Sequence, residues 1–375
     1  MNKNKDDALL PALLRYETVK TDPECRFANK NRFFQGVPTV EKTKSGRYFT
    51  AFYGGMTGEE SGNFVALFVG NNPREGFGEP YLVIEAPTPE CRTFDPCLWI
   101  APSGNLWLFY AQSYTYIDGR LGVWASVCDN PDAEKPMFSA PRRIANGVMV
   151  NKPTCLSNGE WLLCCAIWCD EISSLNDLPE ERFSNVYAST DNGQTFSLIG
   201  HTDYPDRSTD EPMIVERKDG TLWMLIRGKH GIGQSFSDDG GHTWHDTGFS
   251  GIANPCSRFH IRRLKSGRLL LINHKNYNGQ DTGDVVVGSG RNNLTAMLSD
   301  DDGKTWSDGL LLDERDDVSY PDMSEDENGR LTIVYDRERY SAREILMSSV
   351  TEDDILSGKL VSRNSFLKQV VCHGA

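Results

Sequence analysis

Short apolar runs separated by polar turns dominate the chain, and one combination of the two recurs. A turn rich in Ser, Asp, Asn and Gly leads into an apolar run six times, at Ser45-Gly46-Arg47, Ser103-Gly104-Asn105, Asn158-Gly159-Glu160, Asp219-Gly220-Thr221, Ser266-Gly267-Arg268 and Asn328-Gly329-Arg330. Leu222-Trp223-Met224-Leu225-Ile226 and Leu269-Leu270-Leu271-Ile272 are examples of the runs that follow. Asn-Gly and Asp-Gly supply the positive φ angles that a tight hairpin needs, so each turn predicts a pair of joined strands. Subtracting successive glycine numbers gives 58, 55, 61, 47 and 62 residues. That period suits one blade each, and six periods predict an all-β, six-bladed β-propeller.

A second motif, Ser-x-Asp-x-Gly-x-Thr-Trp/Phe, sits late in three of the periods, at Ser189 to Phe196, Ser237 to Trp244 and Ser299 to Trp306. Its Asp and Thr side chains can bond the turn's own backbone, its Gly takes the positive φ, and its aromatic packs between neighbouring sheets. The boxes are therefore read as structural. A calcium loop needs an acidic residue five places before its Gly and a distal Glu. Counting back from Gly193, Gly241 and Gly303 gives Ala188, Phe236 and Leu298, so calcium is not implied. Most periods open on a proline-marked strand, at Val37-Pro38, Asp95-Pro96, Lys152-Pro153, Glu211-Pro212 and Tyr320-Pro321, whereas the fifth, near Ser257-Arg258-Phe259, lacks the proline. These landmarks predict an N-terminal extension over 1–28 and a single propeller with a short C-terminal tail over 29–375.

A length of 375 residues would admit two or three ordinary domains, but closed all-β rings exceed the usual domain size as one unit. A formal net charge of −14 argues against a nucleic-acid partner, because such binding draws its affinity from clustered Lys and Arg. The apolar stretch from Ala8 to Leu14 is too short for a secretory core, and no apolar run reaches the length of a membrane span. The ten cysteines show no framework spacing, so reduced thiols and a cytoplasmic location are expected. Cys164, Cys165 and Cys169 cluster but match no paired metal site, so no metal is expected. The Gly-rich loop that would open a helix for a nucleotide is absent as well, and no cofactor is expected. The sequence sets no oligomeric state.

The three boxes and the six-fold period, spanning roughly residues 30 to 350, resemble the sialidase (neuraminidase) superfamily and its BNR-repeat, or Asp-box, relatives. Such a box marks architecture better than activity, because non-catalytic propellers carry it too. Members of the superfamily resemble one another in a three-arginine clamp for the substrate carboxylate, a Tyr-Glu pair as nucleophile and base, and an acidic residue as acid/base. In this chain Asp210-Glu211-Pro212 followed by Ile226-Arg227 ahead of a box resembles the Glu and the second Arg. Arg291, leading into the third box, resembles the third Arg, and Tyr320 resembles the nucleophile. A phenol of pKa near 10 needs a base, which the resemblance makes Glu211. The loop Gly54 to Glu60 lies where the superfamily carries its acid, which makes Glu60, or its neighbour Glu59, the candidate. Asp95 resembles a second pocket acid, while Lys152, Arg258 and His260 occupy equivalent positions in the third and fifth periods.

One departure changes the picture. Where the superfamily has Phe/Tyr-Arg-Ile-Pro, with the first clamp Arg, this chain reads Phe34-Gln35-Gly36-Val37-Pro38, and the usual Glu partner of that Arg stands as Asp336. Arg32 or Arg337 are the sequence's candidates to substitute in space. The resemblance implies an exo-glycosidase that cleaves a terminal acidic sugar, sialic acid or a uronic-acid-containing glycan, with retention through a Tyr nucleophile. Two other readings stay open: a propeller lyase or rhamnosidase that uses His260, His230 or His274, and a non-catalytic glycan-binding propeller.

Overall fold

The computed structural model describes residues 5–118, 120–168, 178–275, 277 and 289–375. Among them are six antiparallel sheets, one per sequence period, each with four strands that run from the innermost outward in chain order. The inner strands are Phe34–Lys42 in blade 1, Cys91–Ile100 in blade 2, Thr154–Cys155 in blade 3, Met213–Glu216 in blade 4, His260–Arg263 in blade 5 and Val318–Glu325 in blade 6. Each of the six recurring glycines lies between the inner and second strand of its blade, all with positive φ. The stretch ahead of residue 29 contributes to the ring too, because Leu13–Tyr16 pairs with Leu82–Glu85 at the outer edge of blade 1.

The core lies between blades. Trp107 of blade 2 meets Trp161 edge-on at 5.6 Å and box residue Phe196 at 6.3 Å, both of blade 3. Trp306 packs likewise into the cluster of Trp223 and Ile261. Burying one such side chain stabilises the fold by about 1.5–3 kcal/mol, and the boxes place one at three blade seams. Each box closes its own turn as the sequence predicts: Asp191 accepts from the Thr195 backbone N–H (2.9 Å) and hydroxyl (2.6 Å), and Ser189 Oγ accepts from Gly193 N–H (2.9 Å).

Three inner strands carry the same device. Val37, Asp95 and Tyr320 each precede a proline, sit in a bulge where pairing shifts register, and take φ of 57°, 47° and 55°. Non-glycine residues rarely adopt this region, and a residue before proline usually favours extended backbone. The extra residue twists the strand and re-aims its side chain, in Asp95 and Tyr320 toward the axis.

Candidate active site

Tyr320, Glu211 and Arg227 meet although they come from blades 6 and 4. The Tyr320 hydroxyl donates to Glu211 Oε1 at 2.7 Å, and Arg227 Nη1 donates to the Tyr320 oxygen at 2.8 Å and lies 3.0 Å from the same Glu211 oxygen. All three are buried. Burial pushes the Tyr320 phenol above its ordinary range and Arg227 pulls it back, so a bonded carboxylate is the group that can take the proton. Arg227 Nη2 is held by the Cys256 carbonyl (3.1 Å) and thiol (3.5 Å). Both of its terminal nitrogens are therefore directed at protein.

Two further guanidinium groups flank the tyrosine. Arg291 lies 5.6 Å from the Tyr320 ring centroid and shares the Cys256 carbonyl at 3.1 Å. Arg339 lies over the ring at 4.1 Å, on the connection between the second and third strands of blade 6. Arg291, Ser319, Arg339 and Tyr340 line a cavity of about 210 Å³. Arg339 was not singled out from the sequence, which offers no local motif for it. The two arginines that were singled out as substitutes lie elsewhere. Arg32 is fully buried and donates to Gln35, Phe27 and Cys372, while Arg337 pairs with Glu338 and Glu344.

The blade 1–2 wall holds the acids. Asp95 is buried, and its carboxyl is pushed up to about 7, first by burial and then by the charge of Glu59, against the opposing pull of Arg92. Glu59 reaches the site, 3.5 Å from Arg339 Nη1, and accepts from the Tyr116 hydroxyl at 3.4 Å. Glu60 does not. Its side chain is exposed and turns back onto Thr57 of its own loop, accepting from the backbone N–H at 3.2 Å.

Lys152, Arg258 and His260 lie along the axis in a buried ionic network rather than against Tyr320. Lys152 Nζ is 2.9 Å from Glu41 and 3.0 Å from Asp322, and Asp322 also has Arg258 at 3.6 Å and His260 at 3.5 Å. Burial opposes ionisation of Asp322, yet Lys152, then Arg258 and His260, hold it down at about 2. Burial depresses His260 to about 3, so its imidazole is neutral near pH 7. Arg258 still reaches the site indirectly: its Nε donates to Asn151 (2.7 Å), whose amide donates to the Glu211 carbonyl (3.0 Å). Asp336 is a positioning residue, accepting from Arg339 Nε (2.8 Å), the Ser319 hydroxyl (2.6 Å) and the Val37 N–H (2.7 Å).

His230 pairs with Asp206 at 2.7 Å and His274 with the Asn292 carbonyl at 2.9 Å. The hydrogen bonds of Tyr320 and Glu211 go to neither. Cys164 and Cys165 are buried thiols in the second strand of blade 3, whereas Cys169 lies outside the described residues. Among the described residues no group of three His, Cys, Asp or Glu is placed to hold a metal. A larger cavity of about 390 Å³ lies further along the inner strands of blades 3 to 5, lined by Cys155, Met213, Lys218 and Arg262 among others. It lies away from the Tyr320 cluster.

The fold and this constellation define a sialidase-like six-bladed propeller with a Tyr-Glu-Arg centre where the inner strands of blades 4 and 6 start and the second strand of blade 4 ends. The match of the BNR repeat-like domain family covers residues 47–333, and the chain belongs to that family. Its fold is similar to that of the Hadza microbial sialidase Hz136, with 17% identity over 87% of this chain and 67% of that one and a TM-score of 0.65. A leech intramolecular trans-sialidase gives 12% identity over 88% and 69% of the two chains, with a TM-score of 0.63. A protein of unknown function from Dyadobacter fermentans gives 15% identity over 90% and 98%, with a TM-score of 0.62. No curated protein sequence matches.

Proposed function

We propose that the protein is a retaining exo-glycosidase acting on a glycan that ends in an acidic sugar, sialic acid or a uronic acid. The observation that carries this reading is the hydrogen bond from Tyr320 to Glu211 beneath a group of arginines. Glu211 takes the phenolic proton while Tyr320 oxygen bonds the anomeric carbon. The bond from that carbon to the leaving oxygen breaks, and a carboxylic acid of the blade 1–2 wall supplies the proton. Asp95, protonated up to about pH 7, suits that step. Water then attacks the glycosyl-tyrosine with the two proton transfers reversed. A neutral nucleophile beside guanidinium groups suits an anionic sugar, which a carboxylate nucleophile would repel. Sialidases with a Tyr nucleophile are a recognised exception to the two-carboxylate scheme. The sialidases among the similar folds support the same reading.

The test is turnover of fluorogenic α-sialosides and uronides by wild type and Tyr320→Phe, with mass spectrometry of wild type after exposure to a fluorinated acidic glycoside. Cleavage that falls by on the order of 10³-fold or more in Tyr320→Phe, with an adduct on Tyr320, is expected. Turnover that survives the substitution overturns the tyrosine mechanism. Unsaturated product absorbing at 235 nm replaces hydrolysis with elimination, and affinity without turnover leaves a binding propeller.

A further inference from the structure

We propose that Gly36 and Arg339 are a matched pair: Gly36 leaves the space, and Arg339, arriving from blade 6, fills it and supplies a principal guanidinium for the substrate carboxylate. This rests on the acidic-sugar reading above. It adds which arginines take the anion and explains a glycine that the sequence leaves as a gap.

Four observations converge on it. A Cβ on Gly36 would lie 2.6 Å from Arg339 Cδ, 2.7 Å from Nε and 2.9 Å from Cγ, so the Arg339 stem runs through the volume that a side chain at 36 would occupy. The backbone of Gly36 does not need glycine, because its φ lies outside the positive region. The steric reason for glycine there is Arg339.

Arg339 is also held as a binding group must be. Its Nε bonds Asp336 at 2.8 Å, its Nη2 reaches the Ser319 hydroxyl at 3.4 Å, and its backbone carbonyl accepts from Gln35 N–H at 3.3 Å, tying its connection to blade 1. One face of the guanidinium lies on the Tyr320 ring, and the group lines the same cavity as Arg291.

Finally, Arg227 is not among the residues that line this cavity. Its Nη1 bonds Tyr320 and lies 3.0 Å from Glu211, and its Nη2 bonds the Cys256 carbonyl and thiol. Arg291 and Arg339 remain as the guanidinium groups facing the cavity, and a guanidinium fork suits a carboxylate's two oxygens. Arg227 then acts on the nucleophile, and Arg339 acts on the substrate.

The experiment measures dissociation constants for the sialidase inhibitor DANA and steady-state kinetics on an acidic glycoside, with melting temperatures of every protein. The variants are Arg339→Ala, Arg339→Gly, Gly36→Arg and Gly36→Arg/Arg339→Gly. Arg339→Ala is expected to weaken DANA binding by about 50-fold and to raise KM more than it lowers kcat. Gly36→Arg alone is expected to lower the melting temperature. Adding Arg339→Gly is expected to restore it and to regain at least about tenfold in affinity over Arg339→Gly alone. Arg339→Ala that binds DANA as wild type does, or a double variant no better than Arg339→Gly, overturns the proposal. Wild type that binds no acidic sugar overturns the underlying reading instead, before any variant is compared.

Discussion

Two residues of the same chemical type, Asp95 and Glu60, show how environment sorts carboxylates. Glu60 is solvated and bonded within its loop, while Asp95 is buried beside the charge of Glu59 and keeps its proton up to about pH 7. If Asp95 is the acid of the proposed mechanism, kcat/KM should fall as pH rises through about 7, and Asp95→Asn should remove that limb along with most of the rate. The same shift has a consequence for stability. Its folded value lies above the unfolded value near 4, so the folded state binds the extra proton between them and loses stability as pH rises from about 4 to about 7. Melting temperatures of wild type across that window should decline more steeply than those of Asp95→Asn. Equal slopes would show that Asp95 titrates normally in the folded state.

Elements owe their shape to two devices with different reach. The Asp boxes are closed within eight residues and need only their own side chains. Two of their glycines, Gly193 and Gly303, also answer to the preceding blade: Gly303 has φ of 83°, and a Cβ there would lie 2.5 Å from the Trp223 ring. Gly303→Ala should therefore destabilise the protein by about 1–3 kcal/mol, through both the backbone region and the aromatic contact. Urea unfolding reads this, and a loss below 0.5 kcal/mol would show that Trp223 yields freely. The X-Pro bulges reach further still. A bulge leaves a backbone N–H without its ladder partner, and in blade 1 carboxylates of blade 6 take that place: Asp336 accepts from Val37 and Asp322 from Val40 at 3.0 Å.

At the scale of the whole ring, blades 1 and 6 share no swapped strand among the described residues, and backbone bonds such as that from Phe77 N–H to the Val371 carbonyl at 2.7 Å join side chains in closing it. Thr39 bonds Asp322 at 2.7 Å, Ser324 bonds Glu41 at 2.7 Å, and Lys152 sits between both carboxylates from blade 3. Removing one member of a buried ion network leaves the others charged and unpaired, which costs about 3–5 kcal/mol. Lys152→Ala should lower stability by that amount at pH 7, measured by chemical unfolding. The stability that ionised Asp322 brings is present above its unfolded value near 4 and is lost as pH falls through about 2, so wild type should lose stability across that interval. A fall no steeper than that of Lys152→Ala would show that Lys152 is not its main partner.

The sequence by itself determined what is built from near neighbours: six hairpin turns, three self-closing boxes, and hence the number and order of blades. It also pointed to Tyr320, Glu211 and Arg227, through their resemblance to the superfamily's site residues beside the boxes. Tertiary structure alone decided what depends on convergence. Glu59 and Glu60 are adjacent in sequence, yet one reaches Arg339 and the other faces solvent, a choice made by how the loop lies on blade 1. Lys152, Arg258 and His260 stand at the same kind of position as Glu211, but they descend the axis because Asp322 and Glu41 await them there. Arg339 is separated from Gly36 by nearly the whole chain, and only ring closure brings them together. Local patterns record forces that act over a few residues, whereas a site on a propeller's axis is assembled from chain segments that meet nowhere but in the closed ring.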